Sequence, residues 1–453
     1  MRVQIKNLGV IKEADFEVGD LTIICGVNNT GKTYVNYALY GFLDFWWNAL
    51  TTGLKVVHKE TGEEIKEEMY VTFSRGVKEK NAIVAQAIQD YADAFPIVFA
   101  STKLSGASFS VDVSADEPHN TKNFIEIPIL TTDAEVVKTL VIYIHNFLKE
   151  KGIDILERAR FRDTAIFEGA FDDKKNDGKK LGSMIKSTFS SFLPNPFVIT
   201  AERSGILNLW GELDMPYEPW NPNEKRRYGE STIPLPIQRN IDFIRMSKNG
   251  KFRTESPLLN DSPNFLDDFK SLFGGTYEVH DSMIYFVPEG SNATKLRMQE
   301  GSSSVRALFL LNYYLRYIAQ EGDILMIDEP ELNLHPNLQR LIARLLARLV
   351  NAGIKVFLTT HSDYLIRELN VLIMLHRKDE RLEKIRNEAG YQENELLEAD
   401  RVRVYTAEQT QDSSGYTLRP ADVNQTNGIE VRTFDETILQ SSKVIENIVY
   451  GIS

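Results

Sequence analysis

The chain has 453 residues, 42% hydrophobic and 26% charged, which is too long for one ordinary core, so two or three domains are expected. A formal net charge of −12 argues against a surface coated for nucleic acid, although a local basic groove could survive it, and the single cysteine, Cys25, excludes an intrachain disulfide framework and argues against a cysteine-based zinc site. No apolar run approaches the ~18 residues of a membrane span and no signal peptide opens the chain, so a cytoplasmic protein without a membrane partner is expected.

Residues 2–8 (RVQIKNL) and 12–18 (KEADFEV) alternate and read as a β-hairpin or meander. It feeds Leu21–Cys25, a short unbroken apolar run with the pattern of a strand buried on both faces. Directly after it, Gly26-Val27-Asn28-Asn29-Thr30-Gly31-Lys32-Thr33 is a full match to the G-x-x-x-x-G-K-[ST] phosphate loop. Gly26 and Gly31 let the backbone wrap closely around a polyphosphate, and the N–H groups from Asn28, Asn29 and Thr30 onward turn inward. Lys32 supplies a charge for the β- and γ-phosphates, and the Thr33 hydroxyl suits Mg²⁺. Tyr34–Phe45 reads as the helix whose positive end faces the anion. ATP with Mg²⁺ is therefore the expected ligand pair.

Phe45-Trp46-Trp47 is a dense aromatic cluster, read as core packing or as a partner-binding surface. Between residues 52 and 195 the signal weakens. Lys59–Glu64 is turn-like, Tyr70–Phe73 strand-like and Lys78–Phe95 helical, while Ser108–Val113 alternates like an exposed strand. Ala134–Lys151 has helical spacing with Val137, Leu140, Val141, Ile144 and Phe147 on one face. Asp172–Lys180 is mixed-sign and polar, a mobile loop or a nucleic-acid grip. Pro196–Thr200 is another short buried strand, running into Ala201-Glu202-Arg203-Ser204-Gly205. Leu207–Ser291 is rich in proline and aromatics and carries the basic trio Lys225-Arg226-Arg227, which reads as a solvated loop; its end, Gly274-Gly275 and TYEVHDSMIYFVP, predicts a β-hairpin.

A second cluster for phosphate chemistry is Ile324–Pro330, an apolar strand ending in Asp328 and Glu329. Downstream of a phosphate loop it reads as a Walker B strand, with Asp328 holding Mg²⁺ through water and Glu329 orienting or deprotonating the attacking water. The bland alternative is a helix cap and its first turn. Lys355–Ser362 is a further buried strand ending in His361; a lone histidine is usually structural, but this one is placed to sense the γ-phosphate. Between them an amphipathic helix buries Leu338, Leu341, Ile342, Leu345, Leu346 and Leu349, with Gly353 placed to end it. Arg340, Arg344 and Arg348 line its other side, a solvated face or a partner site.

Taken together, IKNLGVIKEADFEV with GVNNTGKT, then ILMIDEPELNLHP, then FLTTHS resemble the ABC-type ATPases of the RecF/SMC/OLD group. The wording DEPE-x-x-LHP and TTHS is distinctive of that group and unlike most AAA+ or GTPase chains. The resemblance covers roughly residues 1–45, 196–206 and 298–376. It implies that two heads sandwich ATP, each site completed by a signature loop from the other head. The matching place is Gly301–Arg306, so Ser302, with Ser303 and Ser304, would face the partner's γ-phosphate; the family's usual glycine falls at Ser304. The competing reading of this loop is a serine-rich helix cap ahead of the helix Ala307–Ala319. Ala201–Ser204 occupies the Q-loop place without a glutamine, leaving Glu202 and Arg203 as alternatives.

The expected architecture is therefore α/β: an ABC-ATPase head with a mixed or parallel sheet around the phosphate loop, plus α+β inserts. The head would comprise residues 1–50, 196–206 and 298–376, with inserts at 51–195 and 207–297 and a small C-terminal segment, 377–453. The second insert has no heptads, which speaks against tethering of the SMC kind. The last segment carries the strand-like RVRVYTAE (Arg401–Glu408) but no acidic constellation of the Toprim type that OLD enzymes append. It resembles the end of stand-alone ABC ATPases from bacterial anti-phage systems, such as the Septu and PARIS ATPase subunits. That resemblance implies a homodimer or higher homo-oligomer and a separately encoded nuclease effector, with DNA a secondary partner. The alternative is a RecF-like repair ATPase that binds DNA directly.

Overall fold

The computed structural model describes residues 1–52, 193–208, 233–248, 254–261, 264–281, 283–290 and 294–430, with shorter stretches at 68–74, 94–101, 106–112, 124–129 and 160–162 and a few single residues. Its frame is a nine-stranded sheet. From one edge the strands run Ser108–Asp112, Arg2–Leu8, Ile11–Glu17, Tyr416–Pro420, Val402–Gln409, Leu21–Cys25, Lys355–Thr360, Asp323–Asp328 and Asn195–Ile199. The last five are mutually parallel. At the other end Arg2–Leu8 pairs antiparallel with both of its neighbours, as expected for a hairpin turning at Leu8↔Ile11. The sheet is thus mixed, with its parallel half at the phosphate loop.

Leu21–Cys25 is wholly buried, and its side chains split by parity. Ile24 joins the core on one face; Leu21, Ile23 and Cys25 join the core on the other. The first face is covered by the helix Lys32–Thr52, through Val35, Ala38, Leu39, Phe42 and Leu43. Each large apolar side chain buried there contributes about 1.5–3 kcal/mol relative to exposure. The helices Ser303–Tyr317, Pro336–Asn351 and Asp363–Met374 cover the second face. Burial also pushes the Cys25 thiol up to about 11, which keeps it an inert core group.

Three expectations change once packing is visible. The strand Ser108–Asp112 is not exposed: Phe109 and Val111 are buried, and the Phe109 ring sits 5.2 Å from that of Phe42 on the phosphate-loop helix. Residues 402–420, which the sequence division leaves outside the head, fill two positions in its sheet, and Val402–Gln409 pairs directly with Leu21–Cys25. Nor is the arginine side of helix Pro336–Asn351 simply solvated. Arg340 pairs with the buried Glu368 at 2.6 Å, Arg344 with the buried Glu395 at 2.7 Å, and Arg348 with Asp268 at 2.6 Å. These pairs tie the helix to three neighbouring segments, whose carboxylates need partners when removed from water.

The hairpin Gly275–His280 with Met283–Pro288 forms as expected, following a helix, Phe265–Phe273, that ends on left-handed Gly274. The strand near Tyr70 spans Glu68–Ser74. Phe45 packs against the first core. The side chains of Trp46 and Trp47, and the expected elements at 59–64, 134–151, 172–180 and 225–227, lie outside the described residues. Among the described residues, no helix is long and apolar enough to cross a membrane.

Candidate functional site

Strand register assembles the site. In the parallel half Cys25 lies opposite Thr360, Thr359 opposite Asp328, and Ile327 opposite Ile199. The phosphate loop, the Walker B acids, His361 and the turn after Ile199 therefore emerge together, outside the carboxyl ends of adjacent strands, where open α/β sheets place their ligands.

The phosphate loop has the backbone its glycines permit, with φ of 139° at Gly26 and 90° at Gly31. A side chain at Gly31 would also bring its Cβ within 2.7 Å of Ile11 on the hairpin. Asn29 takes the left-handed conformation, φ 64°, which asparagine tolerates better than most residues. Thr30 is buried and donates to the Val27 carbonyl at 3.0 Å, while Asn28 is exposed on the loop. Lys32 is buried and turned back onto the loop, donating to the carbonyls of Gly26 at 3.0 Å and Val27 at 2.8 Å. Burial draws its pKa down, and the nearby Glu329, Asp328 and Glu331 oppose that.

Thr33 and Asp328 lie far apart in sequence yet meet: the Thr33 hydroxyl donates to Asp328 Oδ2 at 2.9 Å. The other oxygen of Asp328 accepts from the Thr359 hydroxyl. Burial pushes the Asp328 carboxyl up to about 6 despite those two bonds. A hydroxyl beside a buried carboxylate in want of a counter-charge is a hard oxygen pair that fits Mg²⁺. The next residue, Glu329, has φ 50°, an uncommon conformation for a side-chain-bearing residue. Its N–H donates to the Thr359 carbonyl at 3.1 Å, which fixes the turn. His361 stands across from it, Nδ1 3.4 Å from Glu329 Oε1 and 3.3 Å from Glu331 Oε1.

Two groups here take a part that the sequence reading leaves open or does not name. Arg203, only 2% exposed, donates to the carbonyls of Thr200 (3.0 Å), Asp328 (2.9 Å), Glu329 (2.7 Å) and Ala307 (3.1 Å). Burial lowers its pKa to about 10, with Glu331, Asp328, Glu329 and Glu202 opposing. Of the two residues left open at the Q-loop place, Arg203 is thus the internal clamp, whereas Glu202 is exposed and accepts from the Tyr37 hydroxyl at 3.3 Å. Glu331, the second acid of DEPE, is the other. A charge placed among strand-end residues was the available signal in both cases; the four carbonyls that receive Arg203 come from three segments and leave none.

The serine loop is built differently. Ser302 is the N-cap of helix Ser303–Tyr317, its Oγ accepting from the Val305 N–H at 3.3 Å, so the capping reading holds. It is also exposed and hydrogen-bonded to Ser304 at 2.7 Å. Ser303, exposed, accepts at its carbonyl from Ser204 at 3.4 Å, and Ser204 accepts from Asn333 at 3.1 Å. This chain of contacts joins the loop to the segment after Walker B; among the described residues no hydrogen bond or ion pair brings it to this chain's own phosphate loop.

Comparison with solved structures gives an SMC head bound to the C-terminal winged-helix domain of ScpA, with 11% identity over 92% of this chain and 97% of that one and a TM-score of 0.36. An SMC head domain from Thermotoga maritima follows, at 10% identity over 93% and 98%, with a TM-score of 0.32. No curated protein matches the chain. The model of the AAA_15 family, an AAA ATPase domain, matches residues 1–366. With most of its length inside that match, the chain belongs to the AAA ATPase domain family.

Proposed function

We propose that the protein binds and hydrolyses ATP as an ABC-type ATPase, dimerises head to head around the nucleotide, and serves as the regulatory scaffold of an anti-phage complex whose nuclease is a separate chain. The observation that carries the ATPase part is the convergence of Lys32, Thr33, Asp328, Glu329 and His361 at the carboxyl ends of adjacent parallel strands. Lys32 exchanges its loop carbonyls for the β/γ-phosphates. Thr33 and Asp328 would hold Mg²⁺, which would neutralise charge on the phosphate oxygens. Glu329, set by its backbone turn, accepts a proton from the attacking water, and His361 faces the γ-phosphate. The exposure of Ser302 and Ser303 at a helix N-terminus supports the dimer, since it leaves them open to a partner's phosphate. Closure around a two-fold axis would make both sites composite.

The regulatory role rests on the acidic charge balance and on the resemblance of the C-terminal segment. The direct test is Mg²⁺-dependent ATP hydrolysis by the purified chain, abolished in Glu329→Gln, followed by DNA binding across a salt series. Weak binding with a flat salt dependence supports the scaffold reading. A steep fall of affinity with salt means direct phosphate contacts and moves the protein to the RecF-like reading.

A further inference from the structure

Two carboxylates converge on one ring nitrogen of His361, and they are not equivalent. Glu329 is the more open of the two, its side chain 23% exposed against 4% for Glu331. Glu331 is anchored: Oε1 accepts from the Thr360 hydroxyl at 2.8 Å and from the His361 backbone N–H at 2.9 Å. Its other oxygen, Oε2, is closed off from solvent and has no hydrogen-bond partner among the described residues. The two donors hold Oε1 in place 3.3 Å from Nδ1, so the ring meets a fixed negative atom on that side.

We propose that Glu331 is the positioning residue for His361. It fixes the ring through a proton on Nδ1 and leaves Nε2 to face the bound nucleotide. This deepens the ATPase reading, because Nε2 has a partner to meet only if nucleotide binds there. Glu331 touches no reacting atom. What it supplies is an acceptor in a fixed place, and a carboxamide oxygen at that place serves as well as a carboxylate. The same short segment reaches Asn333, whose side chain donates to Ser204, which in turn reaches the Ser303 carbonyl. The histidine and the serine loop are therefore set from a single stretch of backbone.

The test is nitrogen NMR on the full chain with ¹⁵N-labelled histidine, without nucleotide, the His361 signal identified by its loss in His361→Gln. Wild type and Glu331→Gln are expected to carry the proton on Nδ1. Glu331→Met, which fills the space with no acceptor, is expected to lose that preference. Turnover should follow: kcat falls ~10–100-fold in Glu331→Met with little change in KM, the usual range for an orienting partner, and Glu331→Gln stays close to wild type. An unaltered His361 signal in Glu331→Met overturns the proposal. If Glu331→Met does not fold, Glu331→Gln decides alone. Lost turnover with Nδ1 still protonated would mean that the charge acts directly and would refute positioning; retained turnover with that proton supports it. A wild-type chain with the Nδ1 proton but no ATP hydrolysis would count against the ATPase reading while leaving the ring contact standing.

Discussion

The strand-end site and the serine loop lie on the same head but are finished to different degrees. At the strand ends the key groups are held by internal partners: Thr33 and Thr359 on Asp328, Arg203 on four carbonyls, Glu331 on Thr360 and His361. At the loop Ser302 bonds to Ser304 and caps the first turn of its own helix, and it is solvent-facing. The first arrangement is largely pre-organised, with Lys32 the group that must change partners when a phosphate arrives. The second is a capped helix end open to solvent. Their difference is what a shared site would look like in a single chain.

The comparison breaks most severely at Arg203. Arg203→Met leaves four buried carbonyls without their donor, and urea denaturation should show a loss of about 3 kcal/mol or more. A loss near zero would mean that the strand-end site does not depend on that clamp.

Asp328→Asn should do the opposite in the nucleotide-free protein. Its carboxyl is raised from 3.8 to about 6, chiefly by burial. Between those pH values the folded chain binds a proton that the unfolded chain does not, so stability falls as pH rises through that window, and the penalty is fully present above it. Asparagine removes the charge and keeps a donor and an acceptor for the two threonines. The variant should gain about 3 kcal/mol at pH 8, with the gain gone below about pH 4, while Mg²⁺-dependent hydrolysis is lost. A gain that persists at low pH would show that it does not come from the carboxylate charge.

Lys32→Ala should weaken ATP binding by at least ~10-fold, about 1.4 kcal/mol by calorimetry. The phosphates then lose the one charge borne on the loop, and unchanged affinity would remove the phosphate-loop assignment. The smallest stability change is expected at the loop. Ser302→Asp retains a good capping group, so thermal stability should stay within about 0.5 kcal/mol of wild type. A larger drop would show that the serine does more for its own helix than cap it.

What was legible in the sequence was what is local. A strand, a glycine loop and a helix follow one another within residues 21–45, and the register of the parallel strands then delivers Asp328 and His361 to the same edge. The placement of residues 402–420 was not legible. RVRVYTAE reads as a strand, but nothing in it names Leu21–Cys25 as its neighbour. The ion pairs of the arginines on helix Pro336–Asn351 are hidden in the sequence for a related reason. Helical periodicity shows the apolar stripe but not the acids, Glu368, Glu395 and Asp268, that other segments bring to its flanks. Arg203 shows the same limit, since its carbonyl partners span residues 200 to 329 and carry no side-chain signature.

The central claim is that the strand-end site of one head is completed by the serine loop of another, and ATP-dependent association measured by light scattering tests it most directly. With Mg²⁺ and ATP, Glu329→Gln should accumulate as a closed dimer, because nucleotide still binds but cannot be turned over. Ser302→Asp should bind ATP and remain as it is without nucleotide, since a carboxylate facing the partner's γ-phosphate repels it while the helix cap is kept. Identical association of the two variants would contradict the shared site.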